Sequence, residues 1–414
     1  MHIYLDHKEH ALQPIKLSLS HLKGYPLMLT VVDNIHHEDP RPEYWEEFCH
    51  MFTEQCHCWH QVDFVEVQLL VSYMVDNPLE HTPLLEVVAY NLFEHCFINT
   101  PKLTSVNFDW GEDVPEPIMG MENIFPWSTM RHLQLDYDTQ ATLAGIFKAL
   151  QIGVDLESLK CTGCTMMWTH GTWWPYKARN HRWAKDKDCL ETNLSSLTID
   201  MWDCQGFYEI VHDLFRSLVL PSLDSLDISC LQGQFLDTTH FLGVWPWDVL
   251  RECFKQSGCN LTTLTLGGLP LSECDVLSLL ELCPSIHTFT LHEVSIKKCP
   301  EQVPQTITKS LVKRLQGSTP SENVFSVQDP VLTKLTYLRL KARPHFDTDE
   351  EFVEFVKSRW FVSGYDGACV MERLRTVELH VEKWKLPEKT YKSLKWINSD
   401  GMMISVFGDE ERVV

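Results

Sequence analysis

Apolar side chains recur along this chain in a six-residue pattern, in which the first, fourth and sixth positions are apolar and the third is serine or threonine. Alternation of apolar and polar residues over the last four positions is typical of a β-strand with one buried face. Seven segments with this pattern begin at Leu103, Leu156, Leu194, Leu223, Leu261, Ile286 and Leu374. Looser relatives begin at Val62, Leu85, Met130 and Leu335. The pattern predicts a series of short strands spread over most of the chain.

Between the predicted strands, apolar residues recur every three or four positions, which is the spacing of a helix with one buried face. The segments that show this spacing most clearly are 143–150 and 207–218. Two further helices are predicted to begin at capping boxes, in which two side chains and two main-chain amides hydrogen bond reciprocally. Thr348 and Glu351 match this motif, and Ser272 and Asp275 form a near-variant of it. The chain is therefore expected to alternate strands with helices.

A strand and a helix that repeat, with no repeat able to bury its own apolar face, favour a solenoid. The predicted fold is α/β, an irregular leucine-rich-repeat solenoid with parallel strands on one face, helices on the other and insertions between repeats. Successive pattern starts lie 18 to 49 residues apart, whereas regular leucine-rich repeats recur about every 20–29 residues. The Asn or Cys that usually follows the strand is also missing, since Leu266 precedes Gly267 and Gly268. A doubly wound parallel sheet is the competing fold, because it too alternates strands with helices.

The domain organisation follows from the spread of the repeats. At about 150 residues per domain, 414 residues would suggest two or three domains. The pattern recurs through most of the chain, however, so a single solenoid over residues 1–414 is predicted. Its parts are an N-terminal segment at 1–61, repeats at 62–299 with an insertion at 162–192, a helix and linker at 300–330, and C-terminal repeats with a cap at 331–414.

The charge balance narrows the range of partners. Lys and Arg number 35 against 57 Asp and Glu, which gives a net charge of −22. So acidic a surface repels phosphate groups, and nucleic acid and anionic membranes are therefore not expected as partners. No run of 18 apolar residues occurs, and the N-terminus lacks the basic and apolar regions of a signal peptide. The 15 cysteines are expected to be reduced thiols, and the protein to be cytoplasmic or nuclear.

Six segments carry a resemblance to a known family, in the same order along the chain. They are 25–31 (YPLMLTV), 56–64 (CHCWHQVDF), 125–135 (FPWSTMRHLQL), 352–360 (FVEFVKSRW), 374–379 (LRTVEL) and 401–406 (GMMISV). The second is similar to a His-x-Trp segment before a strand, and the third to a Pro-Trp repeat. The family they resemble is the group of F-box/leucine-rich-repeat proteins found in mushroom-forming fungi.

The resemblance implies a substrate receptor of a ubiquitin ligase. In such proteins a helical F-box docks on a Skp-type adaptor of a cullin ligase, and the repeats hold a protein substrate. The F-box, with its Leu-Pro-x-Glu-Leu-Leu start, is not found in residues 1–22, so the resemblance covers the post-F-box region only. No adaptor-binding residue is assigned, and a Skp-type adaptor is expected as a partner only if an F-box lies upstream.

No catalytic motif supports an enzymatic function. The chain contains no P-loop, dinucleotide-binding glycine fingerprint, His-Glu-x-x-His or Gly-x-Ser-x-Gly sequence. Its carboxylates are scattered over predicted helix faces and loops, as solvated side chains are. No catalytic residue and no cofactor is therefore predicted, and the protein is not expected to be an enzyme.

Two cysteine- and histidine-rich segments were weighed as metal sites. Residues 49–60 hold many soft ligands, but alternate residues of a strand point to opposite faces and do not converge on one ion. Cys161 and Cys164, followed by His170, His181 and Cys189, have better spacing for zinc. Cys161 also fits as the last apolar residue of a strand, with Cys164 as a small core residue. The core interpretation is preferred, and no metal ligand is assigned.

The insertion at 162–192 is the most unusual segment of the sequence. Its central part, 177–188, carries five basic and two acidic residues, a local charge of +3. Tryptophan and arginine together are typical of the residues that dominate protein interfaces. The candidate partner-binding residues are Trp173, Trp174, Arg179, Arg182 and Trp183. Packing of these tryptophans onto the edge of the solenoid, with the basic residues paired to the acidic surface of the chain, is the preferred interpretation, and contact with a partner is the alternative.

The predicted function is non-catalytic protein binding. The repeats would present a large, fixed face to an unidentified protein substrate, and strand-exposed side chains would supply specificity. The candidate contacts on the strands are Glu157, Lys160, Asp224, Asp227, Thr262 and Thr265. A freestanding leucine-rich-repeat scaffold with no link to ubiquitin is the alternative hypothesis.

Overall fold

The structure is a computed structural model. The residues that it describes are 2–5, 12–21, 25–33, 44–65, 70, 73–74, 79, 82–90, 100–110, 126–137, 143–164, 189–201, 207–230, 246–294, 305–316, 331–343, 348–361, 371–381, 387–408 and 411–412. The chain divides into two compact units, of which the first comprises residues 1–174 and 192–194 and the second 175–191 and 195–414. Among the described residues, no helix has the length and apolar character needed to cross a bilayer.

The first unit contains seven strands that pair in parallel and in chain order. They are β1 (His2–Leu5), β2 (Leu27–Asp33), β3 (Trp59–Val65), β4 (Val87–Tyr90), β5 (Ser105–Trp110), β6 (His132–Tyr137) and β7 (Ser158–Cys164). Its helices are α1 (Leu12–His21), α2 (Trp45–Glu54) and α3 (Leu143–Ile152), and a 3-10 turn spans Cys56–Cys58.

The second unit repeats this arrangement with seven parallel strands in chain order. They are β9 (Ser196–Met201), β11 (Ser225–Cys230), β12 (Thr263–Leu269), β13 (Thr288–Glu293), β14 (Tyr337–Ala342), β15 (Thr376–Val381) and β16 (Met403–Gly408). A short strand, β17 (Glu411–Arg412), pairs antiparallel with β16. Two others, β8 (Leu190–Glu191) and β10 (Leu218–Val219), form a separate parallel ladder.

The helices of the second unit follow the strands in turn. They are α4 (Phe207–Arg216), α5 (Trp247–Ser257), α6 (Glu273–Leu282), α7 (Lys309–Leu315), α8 (Asp349–Trp360), α9 (Glu388–Tyr391) and α10 (Lys395–Ser399), with a 3-10 turn at Lys392–Leu394. Successive helices contact one another, as α4 does α5 and α7 does α8. Each unit is therefore α/β and solenoid-like. The doubly wound alternative does not describe either unit, because its strand order reverses at a switch point.

The predicted repeat pattern matches the strands closely. Each serine or threonine in the third position of the seven segments is the first residue of a strand, from Ser105 in β5 to Thr376 in β15. Every described side chain in the three apolar positions is at most 2% exposed. The looser match that begins at Val62 does not follow this rule. Strand β3 begins three residues before it and buries Trp59, Val62 and Phe64.

The entries to β5, β6, β7 and β11 to β15 are stabilised by the same pair of main-chain hydrogen bonds. The amides of Asp224 and Ser225 both donate to the carbonyl oxygen of Ser195, at 2.9 Å each. In the next repeat the amides of Thr262 and Thr263 donate to Asp224, and the first unit repeats the motif at its own strands. This shared geometry aligns the first residue of each strand with that of its neighbour. A side chain at a given repeat position therefore stands beside its counterpart in the next repeat.

The predicted capping boxes had opposite outcomes. The near-variant at Ser272 is formed: the Asp275 amide donates to the Ser272 hydroxyl, and the Ser272 amide donates to the Asp275 carboxylate. The box predicted at Thr348 is wrong. Thr348 does precede α8, but its ψ of 19° departs from the extended conformation of an N-cap, and its side chain makes no capping bond.

Candidate functional site

The outward-facing side chains of the seven parallel strands in the second unit, most of them half-buried, form the candidate functional site, which we call the sheet face. One side of each strand is buried in the core, so the alternate residues point to the opposite side. The strand registers align these residues in three rows. The first row is Ser196, Ser225, Thr263, Thr288, Tyr337, Thr376 and Met403. The second is Thr198, Asp227, Thr265, Thr290, Arg339, Glu378 and Ser405. The third is Asp200, Ser229, Gly267, His292, Lys341, His380 and Phe407.

The chemistry of the sheet face changes from one end to the other. On β9, β11 and β12 its residues are hydroxyl-bearing or acidic, apart from Gly267. From β13 onward they include the histidine, basic and aromatic residues. Met403 on β16 is 67% exposed. The face is thus polar for most of its width and ends in an apolar side chain.

Glu378 on β15 joins two residues of β14. The Tyr337 hydroxyl donates a hydrogen bond to its Oε1 at 3.1 Å, and Nε of Arg339 lies 3.4 Å from its Oε2. Burial and this carboxylate raise the pKa of Tyr337, so the phenol stays protonated and donates. The three side chains are held in fixed positions across two strands, while Arg339 remains 43% exposed.

The histidines of the third row are held in the neutral form. Burial lowers the pKa of His292 to about 4, assisted by Arg339, Lys341 and His380. Burial, Arg339 and Lys341 lower the pKa of His380. The ring of His380 stacks on that of Phe407, with the ring centroids 4.4 Å apart. Within the described part of the chain, Nε2 of His292 is buried with no hydrogen-bond partner.

A β-bulge at Gly267 and Gly268 shapes the middle of the third row. The register between β12 and β13 shifts there, and Gly268 has a φ of 62°. A Cβ on Gly267 would lie 2.9 Å from Cβ of Ser229 and 3.8 Å from Nδ1 of His292. The two glycines therefore let β11, β12 and β13 approach closely beside the imidazole of His292. They occupy the place after Leu266 where a leucine-rich repeat usually has an Asn or Cys.

The strand contacts predicted from the sequence divide into two groups. Asp227 and Thr265 lie beside each other in the second row of the sheet face. Lys160 lies at an equivalent position of β7 in the first unit, next to Gln134. The residues Glu157, Asp224 and Thr262 instead precede their strands and supply the main-chain bonds of the strand entries. The predicted partner-binding residues Trp173, Trp174, Arg179, Arg182 and Trp183 lie outside the described residues.

The charged residues of β13 to β15 were missed in the sequence, although a signal for them existed. His292, Lys341 and His380 each follow the sixth position of the repeat pattern directly, as Asp200 and Ser229 do in earlier repeats. Alternation places that seventh position on the same face as the third and fifth. The six-residue pattern stopped one residue short of the row that contains Lys341 and both histidines.

The cysteines of the described segments are buried in cores or lie apart. Ten cysteine side chains are described, and none of them forms a disulfide. Cys161 is fully buried in β7, as the core interpretation expected, while His170, His181 and the Cys164 side chain lie outside the described residues. Burial raises the pKa of Cys253 and of Cys283 to about 12, which leaves these thiols unreactive at neutral pH. No group of three or more potential ligands in the described segments is placed to hold a metal ion.

Comparisons with known proteins add no relative. No protein-family model matches the sequence, and no curated protein matches it.

Proposed function

We propose that this chain is a non-catalytic protein-binding domain and that the sheet face is its binding surface. The observation that carries the proposal is the alignment of side chains in three rows across seven parallel strands. Six inter-strand spacings of about 4.8 Å make this face about 29 Å wide. A rigid surface of that width, with fixed polar groups, suits recognition of a folded partner.

The role within the cell is proposed from the family resemblance. Segments similar to fungal F-box/leucine-rich-repeat proteins support a substrate receptor, in which the repeats bind the protein that a ubiquitin ligase modifies. The repeats of this chain would then be leucine-rich repeats, and the protein would act in the cytoplasm or nucleus. A freestanding scaffold would use the same face without affecting the lifetime of its partner.

Affinity capture with a matched pair of variants tests the binding surface. The full chain is immobilised, and captured proteins are quantified by mass spectrometry against Asp227→Lys on the sheet face and Glu252→Lys on α5. Both residues are acidic, so each substitution changes the net charge by the same amount, and Glu252 is exposed on a helix. We expect Asp227→Lys to lose a set of proteins that Glu252→Lys retains. Retention of every captured protein by Asp227→Lys would contradict the proposed surface.

A second measurement separates the ligase receptor from the scaffold. For each protein lost from Asp227→Lys, its half-life is measured with and without the chain in the cell. A substrate receptor shortens that half-life in a proteasome-dependent manner. An unchanged half-life would leave the binding surface in place and remove the link to ubiquitin.

A further inference from the structure

Charge is distributed unevenly over the sheet face. Asp200 and Asp227 lie on β9 and β11, at the acidic end. Four nitrogen-bearing side chains lie together on the adjacent strands β13, β14 and β15, and we call them the basic cluster. They are His292, Arg339, Lys341 and His380. In a chain with a net charge of −22, such a local concentration of basic groups is unusual.

The register places the members of the basic cluster next to one another. Lys341 pairs with His292 on one side and with His380 on the other, and Arg339 lies one step earlier on β14. Neighbouring strands are about 4.8 Å apart, so side chains at paired positions are within reach of a single small group. Lys341 is exposed and Arg339 is 43% exposed, so both side chains can be reached from solvent.

His292 lies beside the other side chains of the basic cluster. Burial is the main cause that lowers the pKa of this imidazole to about 4, and Arg339, Lys341 and His380 lower it further. The titratable sheet-face residues on the two strands to either side of β13 are Asp227, Tyr337, Arg339, Lys341, Glu378 and His380. The one carboxylate on the basic side is Glu378, which lies beside Nε of Arg339. Nε2 of His292 is buried with no hydrogen-bond partner among the described residues, so the cluster contains a polar atom that a ligand can satisfy.

We infer that the basic cluster is an anion-binding subsite of the sheet face, which receives an acidic group of the bound protein. The inference rests on the proposed function, because it names the chemistry of the partner at the same surface. The anionic group accepts hydrogen bonds from Arg339 and Lys341, and its charge favours protonation of the neighbouring His292 at acidic pH. A side-chain carboxylate and a phosphorylated side chain share this chemistry, and the experiment below distinguishes them.

Binding of two defined peptides to the full chain tests the subsite. The probes are rhodamine-labelled hexa-aspartate and a labelled Gly-Ser hexapeptide with one phosphoserine, and their fluorescence anisotropy is measured at about 0.15 M ionic strength. At this ionic strength the Debye length is about 8 Å, so the more distant acidic groups of the chain are largely screened. We expect at least one probe to bind, and the tighter of the two identifies a carboxylate or a phosphate as the natural group.

A charge-matched pair of double variants separates the subsite from net charge. Arg339→Gln with Lys341→Gln removes two positive charges from the cluster, and Lys313→Gln with Lys357→Gln removes two from helices α7 and α8. The first is expected to weaken binding at least about tenfold, because hydrogen bonds to charged groups are the strong ones. The second is expected to leave binding unchanged. Lys341→Gln alone, at an exposed position, gives the same direction of change if the double variant unfolds.

The pH dependence gives an independent readout of His292. Hexa-aspartate stays ionised down to pH 5.5, since the ordinary pKa of aspartate is about 3.9. An opposite charge at contact raises a histidine pKa by about two units, from the value of about 4 in the unbound protein. Binding should then be about fourfold tighter at pH 5.5 than at pH 7.5. In His292→Gln this increase should shrink while binding at pH 7.5 persists.

Three results would overturn the inference: neither probe binds, the two double variants bind equally, or His292→Gln keeps the full pH dependence. The proposed function can fail or stand independently of this inference. If no acidic probe binds while Asp227→Lys still loses its captured proteins, the sheet face stands and only the anion subsite is wrong. If Asp227→Lys captures every protein but the acidic probes bind at the cluster, the subsite exists and the proposed protein-binding surface is wrong.

Discussion

Arg359 of α8 is fully buried in the second unit and binds main-chain carbonyl groups. Its Nε donates to the carbonyl oxygen of Leu315 at 2.8 Å, and its Nη2 donates to those of Val331 and Leu332 at 3.2 and 2.7 Å. Burial lowers its pKa to about 10, so the guanidinium still carries its charge at neutral pH. One side chain therefore holds the end of α7 and the segment before β14 against α8.

Replacing Arg359 should destabilise the protein more than any surface charge does. Arg359→Met removes the donor of the buried carbonyl groups of Leu315 and Val331, while Leu332 keeps its bond from the Leu335 amide, and each group left unpaired costs about 1–3 kcal/mol. We expect the free energy of unfolding to fall by about 3 kcal/mol or more in urea titrations. Lys357→Met on the same helix removes only a surface ion pair with Glu354, which is worth about 0–1 kcal/mol. Equal losses in the two variants would contradict the structural role of Arg359.

Two glycines with positive φ should respond differently to alanine. Gly258 ends α5 with a φ of 59° and has open space around it, so Gly258→Ala should cost about 1 kcal/mol for the left-handed conformation alone. A Cβ on Gly268 would lie 2.5 Å from the carbonyl oxygen of Cys230, at a φ of 62°. Gly268→Ala should therefore cost about 1–3 kcal/mol more, because main chain must move. Thermal unfolding of both variants checks the difference, and a smaller loss for Gly268→Ala would be inconsistent with the bulge.

His292 should make the stability of the protein depend on pH. The pKa of this imidazole is about 4 in the folded protein and about 6.5 in an unfolded chain, so the unfolded state binds more protons between these values. The contribution of neutral His292 is present above pH 6.5 and is lost as the pH falls towards 4. In His292→Gln the free energy of unfolding, measured by urea titration, should decline less steeply over this pH interval. An identical decline in the variant would show that His292 is protonated as easily in the folded state.

At the scale of elements, two helix starts give a matched test of capping. Ser272→Ala removes a formed capping box on α6 and should cost about 1 kcal/mol. The Thr348 hydroxyl before α8 is buried with no hydrogen-bond partner among the described residues, so Thr348→Val should be neutral or stabilising. Urea denaturation curves measure both changes. The pair would fail as a test of the structure if Thr348→Val were the more destabilising of the two.

The capping box that is not formed at Thr348 shows that a local sequence motif does not reveal whether its side chains are buried. The residues at Thr348 and Glu351 fit the capping box better than Ser272 and Asp275 do. Helix α8 nevertheless begins at Asp349 without it, while the Thr348 side chain lies in the core. Burial by the surrounding elements decides whether a capping side chain can reach the main chain, and a local motif carries no information about burial.

The strands could be predicted more completely than the helix starts. Leu223, Leu226 and Ile228 each face the core, because alternation and burial act together within six residues. The Val62 segment was misplaced by three residues, because the first, fourth and sixth positions of the pattern in β3 are Trp59, Val62 and Phe64, with Gln61 in the place of the serine or threonine. An aromatic side chain fills the same buried position, with Phe52 packed against it at 4.6 Å between ring centroids.

At the scale of the molecule, the fold of each unit follows from repetition. A doubly wound sheet and a solenoid use the same alternation of strands and helices, and only the order of strands separates them. That order is sequential in both units, as a chain of similar repeats predicts, since each repeat buries its apolar face on the next.

The sheet face itself could be predicted only in part. Asp227 and Thr265 were identified because they occupy the fifth position of the six-residue pattern. Arg339 and Glu378 occupy the same position in later repeats, yet their ion pair depends on the register of β14 with β15. Register is a property of the folded sheet, set by the shared bonds at each strand entry. Once it is established, the basic cluster follows from the residues at three adjacent strands.

The central claim is that a protein binds on the sheet face, and site-specific photo-crosslinking tests it most directly. A benzophenone amino acid replaces Thr265 in the middle of the sheet face or, in a second protein, the exposed Gln256 on α5. After irradiation of the full chain in extract, the account predicts discrete crosslinked proteins from position 265 that are absent from position 256. Crosslinks to the same proteins from position 256, with none from position 265, would contradict it.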